Sequence, residues 1–177
     1  KDNPESEMLW VWDEKLLESG TDIIWYRYSF LERLNEKIKK ILKEICNEKI
    51  ELIYDCGFLV EDFNDKQNIR KKFEEEIKKC KEREKKLGIS LIGPHRDDFK
   101  IILNDKDAKI YASQGQQRTI ALAIKMAEVE LIKDNIGEPP VLLLDDVLSE
   151  LDVNRRNYVL NKIKDIQVII TCTEKDI

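Results

Sequence analysis

The chain has 177 residues, 38% of them charged and 42% hydrophobic, with a formal net charge of -5 and a pI near 5.2. That length suits one or two domains with a buried core, and the acidic balance does not indicate generic attraction to nucleic acid, although a local patch can still bind it. No apolar run approaches the roughly 18 residues needed to cross a membrane, and the polar opening Lys-Asp-Asn-Pro-Glu, without an initiating Met, has no signal-peptide character and suggests a fragment of a longer, cytoplasmic protein.

Pro4-Glu5-Ser6-Glu7 opens a helix, with Pro early and acids at the positive dipole end. Met8, Leu9, Trp12, Leu16 and Leu17 continue it at helical spacing, and Ser19-Gly20 is expected to end or kink it. Phe30, Leu34, Ile38, Ile41 and Ile45 then mark one stripe of a long amphipathic helix. Glu51–Cys56 reads as a short strand bounded by Gly57, and Asn64-Asp65 as the cap of the next helix. In that helix Ile69, Phe73, Ile77, Cys80 and Leu87 share a face, which can pack on the first stripe as an antiparallel arm or serve as an ordinary core helix.

Gly88 ends the arm. Ile89–Ile92 and Phe99–Leu103 read as strands; Asn104-Asp105 is turn chemistry, and Lys109-Ile110-Tyr111 is expected to return as the second strand of a hairpin. A helix runs from about Gly115 to Lys133. Val141–Asp145 reads as a strand buried on both faces, Leu151–Ile163 as a helix and Val168–Thr171 as a second buried strand. Strand, helix and strand at this spacing imply a parallel α/β sheet. The expected organisation is residues 1–88 as a helical arm with a short strand, and residues 89–177 as an α/β half-domain. Cys46, Cys56, Cys80 and Cys172 form no C-x-x-C pair, and His95 is the single histidine, so buried thiols fit better than zinc or disulfides.

Two segments carry chemistry. Asp145 and Asp146 sit where a strand meets its following loop, the place where open α/β sheets bind ligands. Alternate strand residues point opposite ways, so both acids face one ligand only if the strand ends between them. Asp145 can then hold Mg²⁺ while Asp146 reaches an attacking water; the plainer alternative is an Asp pair capping the next helix. Ser113 is a natural N-cap worth about 1 kcal/mol. Gly115 allows close backbone approach, and a helix N-terminus attracts phosphate, with Gln114, Gln116 and Gln117 adding amide donors. Gly88 and Gly93 have P-loop spacing, but Pro94-His95 follows where Lys-Ser/Thr is required, so no segment here cradles phosphates. Gly93-Pro94-His95-Arg96-Asp97-Asp98 is either a phosphate-meeting turn or a tight turn with a local ion network.

These residues resemble the RecF family of SMC-like ABC ATPases. Ser113-Gln114-Gly115-Gln116-Gln117-Arg118 looks like its signature, Leu142-Leu143-Leu144-Asp145-Asp146 like its Walker B strand, and Ser149-Glu150-Leu151-Asp152 like its D-loop. Gly93–Asp98 matches another family hallmark, and Trp12-Asp13, Leu16, Gly20, Arg27 and Phe30 echo its arm. The resemblance implies the C-terminal part of an ABC-type head without the Walker A half. It implies ATP and Mg²⁺, with Asp145 organising the metal and Asp146 polarising water where most ABC proteins use Glu. Ser113, Gln114, Gly115 and Gln116 would face a nucleotide held by the other subunit, Ser149 and Asp152 would couple the two sites, and Thr171 occupies the switch position. The implied function is an ATP-gated homodimer in DNA repair, recombination and replication, within the SOS response. It would bind double-stranded DNA or a single-strand/duplex junction at gaps and load recombinase with RecO and RecR. Without the phosphate cradle, the chain alone is expected not to hydrolyse ATP. The alternatives are a helical protein-interaction module with an inert ATPase remnant, another SMC-like ABC ATPase, or a metal-dependent nuclease using Asp97, Asp98, Asp145 and Asp146.

Overall fold

The computed structural model describes residues 4–148 and 151–172. In chain order these form α1 (Pro4–Ile45), β1 (Ile50–Asp55), α2 (Lys66–Leu87), β2 (Asp98–Leu103), β3 (Lys106–Asp107), α3 (Ala108–Tyr111), α4 (Gln114–Ile136), β4 (Leu142–Asp145), α5 (Val153–Lys162) and β5 (Val168–Thr171). Contacts divide the chain into two compact units, residues 1–32 with 52–100 and residues 33–51 with 101–177. Residue 88, the boundary expected from the sequence, falls inside the first unit. The turn that follows it packs back on α1, where Arg27 donates to the Pro94 carbonyl.

The first unit is built on the N-terminal part of α1. Leu17 and Ile24 bury against Ile69, Phe73 and Ile77 of α2, with Val60 and Ile92 closing the cluster. Lys66 pairs with Asp22 and Lys81 with Asp13, so the helices run antiparallel. The expected helix end at Ser19-Gly20 does not occur, and α1 runs unbroken for 42 residues. A Cβ on Gly20 would lie 2.5 Å from Phe73 Cε1, so the glycine serves close helix contact rather than a break. The expected pairing of the Phe30–Ile45 stripe with α2 is also corrected. Leu34, Ile38 and Ile41 are buried, but in the second unit. Asp65 caps α2 by accepting from Gln67 N, and Gly88 closes it in the left-handed conformation at φ 66°.

Ile89–Ile92 is not a strand, because the Ser90 carbonyl accepts from Arg96 and contacts the His95 ring, which folds the segment into a turn. β2 and β3 pair antiparallel, Leu103 opposite Lys106, around Asn104 and Asp105, both left-handed at φ 50° and 64°. That is the type I′ geometry that a right-twisted hairpin favours. The return strand stops early: Asp107 accepts from Lys109 N and starts α3, so 109–111 is helical rather than extended.

In the second unit β4 and β5 are parallel neighbours, joined through α5 and in register from Leu142 opposite Val168 to Asp145 opposite Thr171. α4 buries Ile120, Leu122, Ala123, Met126 and Ala127. β4 is not covered on both faces as expected. Leu142 and Leu144 are buried, whereas Leu143 is 68% exposed and Ile169 on β5 is 56% exposed. No disulfide joins the cysteines among the described residues; Cys46, Cys56 and Cys80 are half-buried and Cys172 is exposed, a correction to the expectation of buried thiols. Among the described residues no helix is long and apolar enough to cross a membrane.

Candidate functional site

β4 ends at Asp145, and Asp146 follows in the left-handed conformation at φ 51°. This removes the obstacle raised by strand alternation: the chain turns between the two acids, and both are exposed at the carboxyl end of the parallel pair. Thr171, opposite Asp145 on β5, holds the turn. Its hydroxyl donates to Asp145 Oδ1. Its Oγ1 and its carbonyl both accept from Asp146 N, at 3.0 and 3.1 Å. Thr171 is thus committed to the two acids. The acids open into a cavity of about 440 Å³ lined by Leu142–Leu144 and Leu151, with Arg118 and Lys125 of α4.

Ser113 caps α4 in a complete capping box. Its Oγ accepts from Gln116 N at 3.3 Å, and Gln116 Oε1 accepts from Ser113 N at 2.9 Å. The Ser113 oxygen is used as acceptor, which leaves its O–H as the donor. Gln114 begins the helix and is exposed, as is Ser113. Gln117 Nε2 donates to the Ala112 carbonyl, and Thr119 Oγ1 to the Gly115 carbonyl. Of residues 113–118 only Arg118 lines the cavity of the paired acids; Ser113, Gln114, Gly115 and Gln116 do not.

The turn at residues 113–116 approaches the start of α5 instead. Asp152 caps α5 by accepting from Arg155 N at 3.0 Å, and the Arg155 guanidinium pairs with its other oxygen at 2.8 Å. The Arg155 amide, followed by its charge, holds the Asp152 carboxyl below the usual carboxylate range. The same guanidinium lies 3.8 Å from where a Cβ on Gly115 would sit. Ser149, the other D-loop residue singled out, lies outside the described residues.

Gly93–Asp98 belongs to the first unit, whereas the paired acids belong to the second. Asp97 accepts from the Tyr54 hydroxyl and from Gly57 N. Burial, with Asp97 adding to it, pushes the Tyr54 phenol up, and the same two causes push the Cys56 thiol up to about 12. The motif ties α1, β1 and its own turn together. Among the described residues no three His, Cys, Asp or Glu side chains gather to hold a metal.

Three residues of this site escaped the sequence reading. Arg155 carried a weak signal, three residues beyond an N-cap Asp at the spacing of a helical pair. Glu44 and Glu48, at the foot of α1, carried none. Glu44 accepts from Tyr158 Oη and Lys162 Nζ, each at 3.0 Å, and Glu48 accepts from Gln116 Nε2 at 2.7 Å.

No protein-family model matches the chain. Curated relatives do. The chain is 49% identical over 172 residues to the DNA replication and repair protein RecF of Clostridium perfringens (strain SM101), covering 97% of this chain and 46% of that protein. It is 44% identical over 169 residues to RecF of Caldanaerobacter subterraneus subsp. tengcongensis, covering 96% and 46%. A solved structure of the recombination mediator protein RecF-ATP in the RecFOR pathway superposes with a TM-score of 0.86 at 42% identity, over 97% of this chain. The chain belongs to the RecF family. A second RecF structure, RecF-ATPrS, superposes at 0.85. The chain spans about half the length of the RecF proteins it matches, 46% of each solved RecF chain. The α/β fold expected from the ABC-like motifs agrees with the superposition.

Proposed function

We propose that the chain is part of an ATP-gated DNA-binding protein of recombinational repair, in which ATP closes a homodimer on DNA and hydrolysis reopens it. The observation that carries this reading is the strand-end pair Asp145-Asp146, turned by a left-handed residue and locked by Thr171, in a chain that also carries the capped Ser113 turn and is closely similar to RecF. The solved relatives described with ATP support the nucleotide. Duplex or junction DNA, RecO and RecR as partners, and a cytoplasmic setting follow from the family resemblance.

Two exposed carboxylates suit Mg²⁺, which commonly takes one or two carboxylates and completes its shell with phosphate and water. Asp145 would hold the ion, its orientation set by the Thr171 hydroxyl. Held by Asp145, Mg²⁺ would supply charge neutralisation at the nucleotide's phosphates. Asp146 would accept a hydrogen bond from the attacking water and align it. Ser113 O–H and the backbone around Gly115 would donate to the γ-phosphate held by the other subunit, since the signature turn does not open into the chain's own acid cavity. Asp152 with Arg155 would tie that contact to the D-loop.

The test is Mg-ATP turnover by the chain alone and mixed with a fragment bearing a Walker A loop. Turnover in the mixture only, lost with Asp146→Asn, is expected. Turnover by the chain alone, or an Asp146→Asn mixture as active as wild type, overturns the assignment. Association of the two fragments without turnover would favour a protein-interaction role.

A further inference from the structure

Gln116 stands in the signature turn where a nucleotide contact is expected, yet both ends of its amide are engaged within the chain. Its Oε1 accepts from Ser113 N, and its Nε2 donates to Glu48 Oε1 at 2.7 Å. Glu48 is presented by a firmly held loop. Cys46 N and Asn47 N both donate to the Leu42 carbonyl, and Asn47 turns the chain at φ 53°. Lys49 N donates to Asn104 Oδ1 at 3.0 Å, and Asn104 N returns a bond to the Lys49 carbonyl at 2.8 Å. The Asn104 amide also reaches Glu48 Oε1, at 3.5 Å.

One turn earlier in α1, Glu44 holds Tyr158 and Lys162 of α5, the helix that carries Asp152 and Arg155 at its start. The foot of α1 therefore grips both elements that would face a nucleotide across the dimer. All of these residues lie in one compact unit.

We propose that Glu48 is a positioning residue for the signature turn. It acts through Gln116, which is a latch within the subunit and not a ligand of the nucleotide. The link to nucleotide rests on the ATPase reading above; the latch does not. The chemistry separates this from plain helix capping. A Glu at the third position of a capping box caps as well as Gln, and it suits the positive end of the helix dipole. If Gln116 only capped α4, Gln116→Glu would leave the turn intact or tighten it. If Glu48 holds Gln116, the same change sets two carboxylates face to face and drives the side chain off Ser113 N.

The decisive set is Gln116→Glu, Glu48→Gln and the double variant that exchanges the two side chains. Amide hydrogen exchange at Ser113, read by NMR on the 177-residue chain, should quicken about tenfold in Gln116→Glu, the usual weight of one hydrogen bond to a charged group. The double variant should return exchange to wild type. Its amide at position 48 can donate to the carboxylate at position 116, which in turn accepts from Ser113 N. ATP-dependent association with the Walker A fragment should weaken and recover in the same order. Unchanged or slower exchange in Gln116→Glu, or a double variant no better than the single one, overturns the latch. Wild-type association that ignores ATP overturns the nucleotide reading, and the exchange data still decide the latch.

Discussion

Gly20→Ala separates two accounts of the long helix by the sign of its effect. In a solvated helix interior Ala is favoured over Gly by about 0.8–1.0 kcal/mol. A glycine that merely marks a weak point should therefore gain stability from the change. In this fold the new methyl would stand 2.5 Å from Phe73 Cε1 and 3.1 Å from its Cζ, well inside the roughly 3.5–4.0 Å at which carbon atoms pack best. The ring cannot step aside: Phe73 is fully buried and lies flat on Phe58, with centroids 5.4 Å apart and planes within 2°. Overpacking of this kind costs about 1–3 kcal/mol. After subtracting the helix preference, the variant should be destabilised by about 1 kcal/mol, a fall in Tm of about 2–4 °C for a chain of this size. Urea unfolding followed by far-UV circular dichroism would read it. A gain of about 1 kcal/mol would refute the close-contact account and restore Gly20 to a simple break in helix preference.

Thr171→Val removes the hydroxyl that orients Asp145 and supports Asp146 N, and leaves the backbone bond from Asp146 N to the Thr171 carbonyl. Unfolding stability should change by less than about 1 kcal/mol, since the residue is exposed. Mg-ATP turnover of the mixture should fall about tenfold or more and recover in Thr171→Ser. Equal turnover of the Val and Ser variants would show that the hydroxyl positions nothing. Lys162, followed by Tyr158, holds the Glu44 carboxyl below its ordinary range. Its contribution to stability is therefore complete above the unfolded value of about 4.3 and is lost as pH falls through the lower folded value. Glu44→Gln should flatten the fall of the urea midpoint below about pH 4.3 and leave the slope from pH 6 to 8 unchanged; parallel acid limbs in the two proteins would exclude the linkage.

Features set by neighbours in sequence were legible before the fold. The Ser113 cap, the Asp65 cap, the left-handed Gly88 and the Asn104-Asp105 turn all depend on one residue and its next few amides. So did the end of β4, because the apolar run 141–144 stops at two acids. The misses share a cause: a short apolar run carries no period that says which face is covered. Leu143 looked as buried as Leu144, and Lys109-Ile110-Tyr111 looked extended until Asp107 began a helix there. Ile89–Ile92 had strand composition, but its Ser90 carbonyl is taken by Arg96 rather than by a neighbouring strand. Glu48 was invisible for the opposite reason. A glutamate in a polar loop gives no sign that its partner, Gln116, lies 68 positions away.

The backbone at Asp146 limits which acid can stand there. A left-handed residue with a Cβ costs roughly 1–2 kcal/mol, and Asp and Asn reduce that by bonding locally through a short polar side chain. Glutamate has the same carboxylate but its extra methylene carries the oxygens out of local reach. Exchanging Asp146 for Glu would therefore either keep φ near 51° at a strained backbone or relax it to negative φ and draw Asp146 N away from Thr171. An acid at this strand end is confined to the shorter side chain by the same turn that brings it beside Asp145.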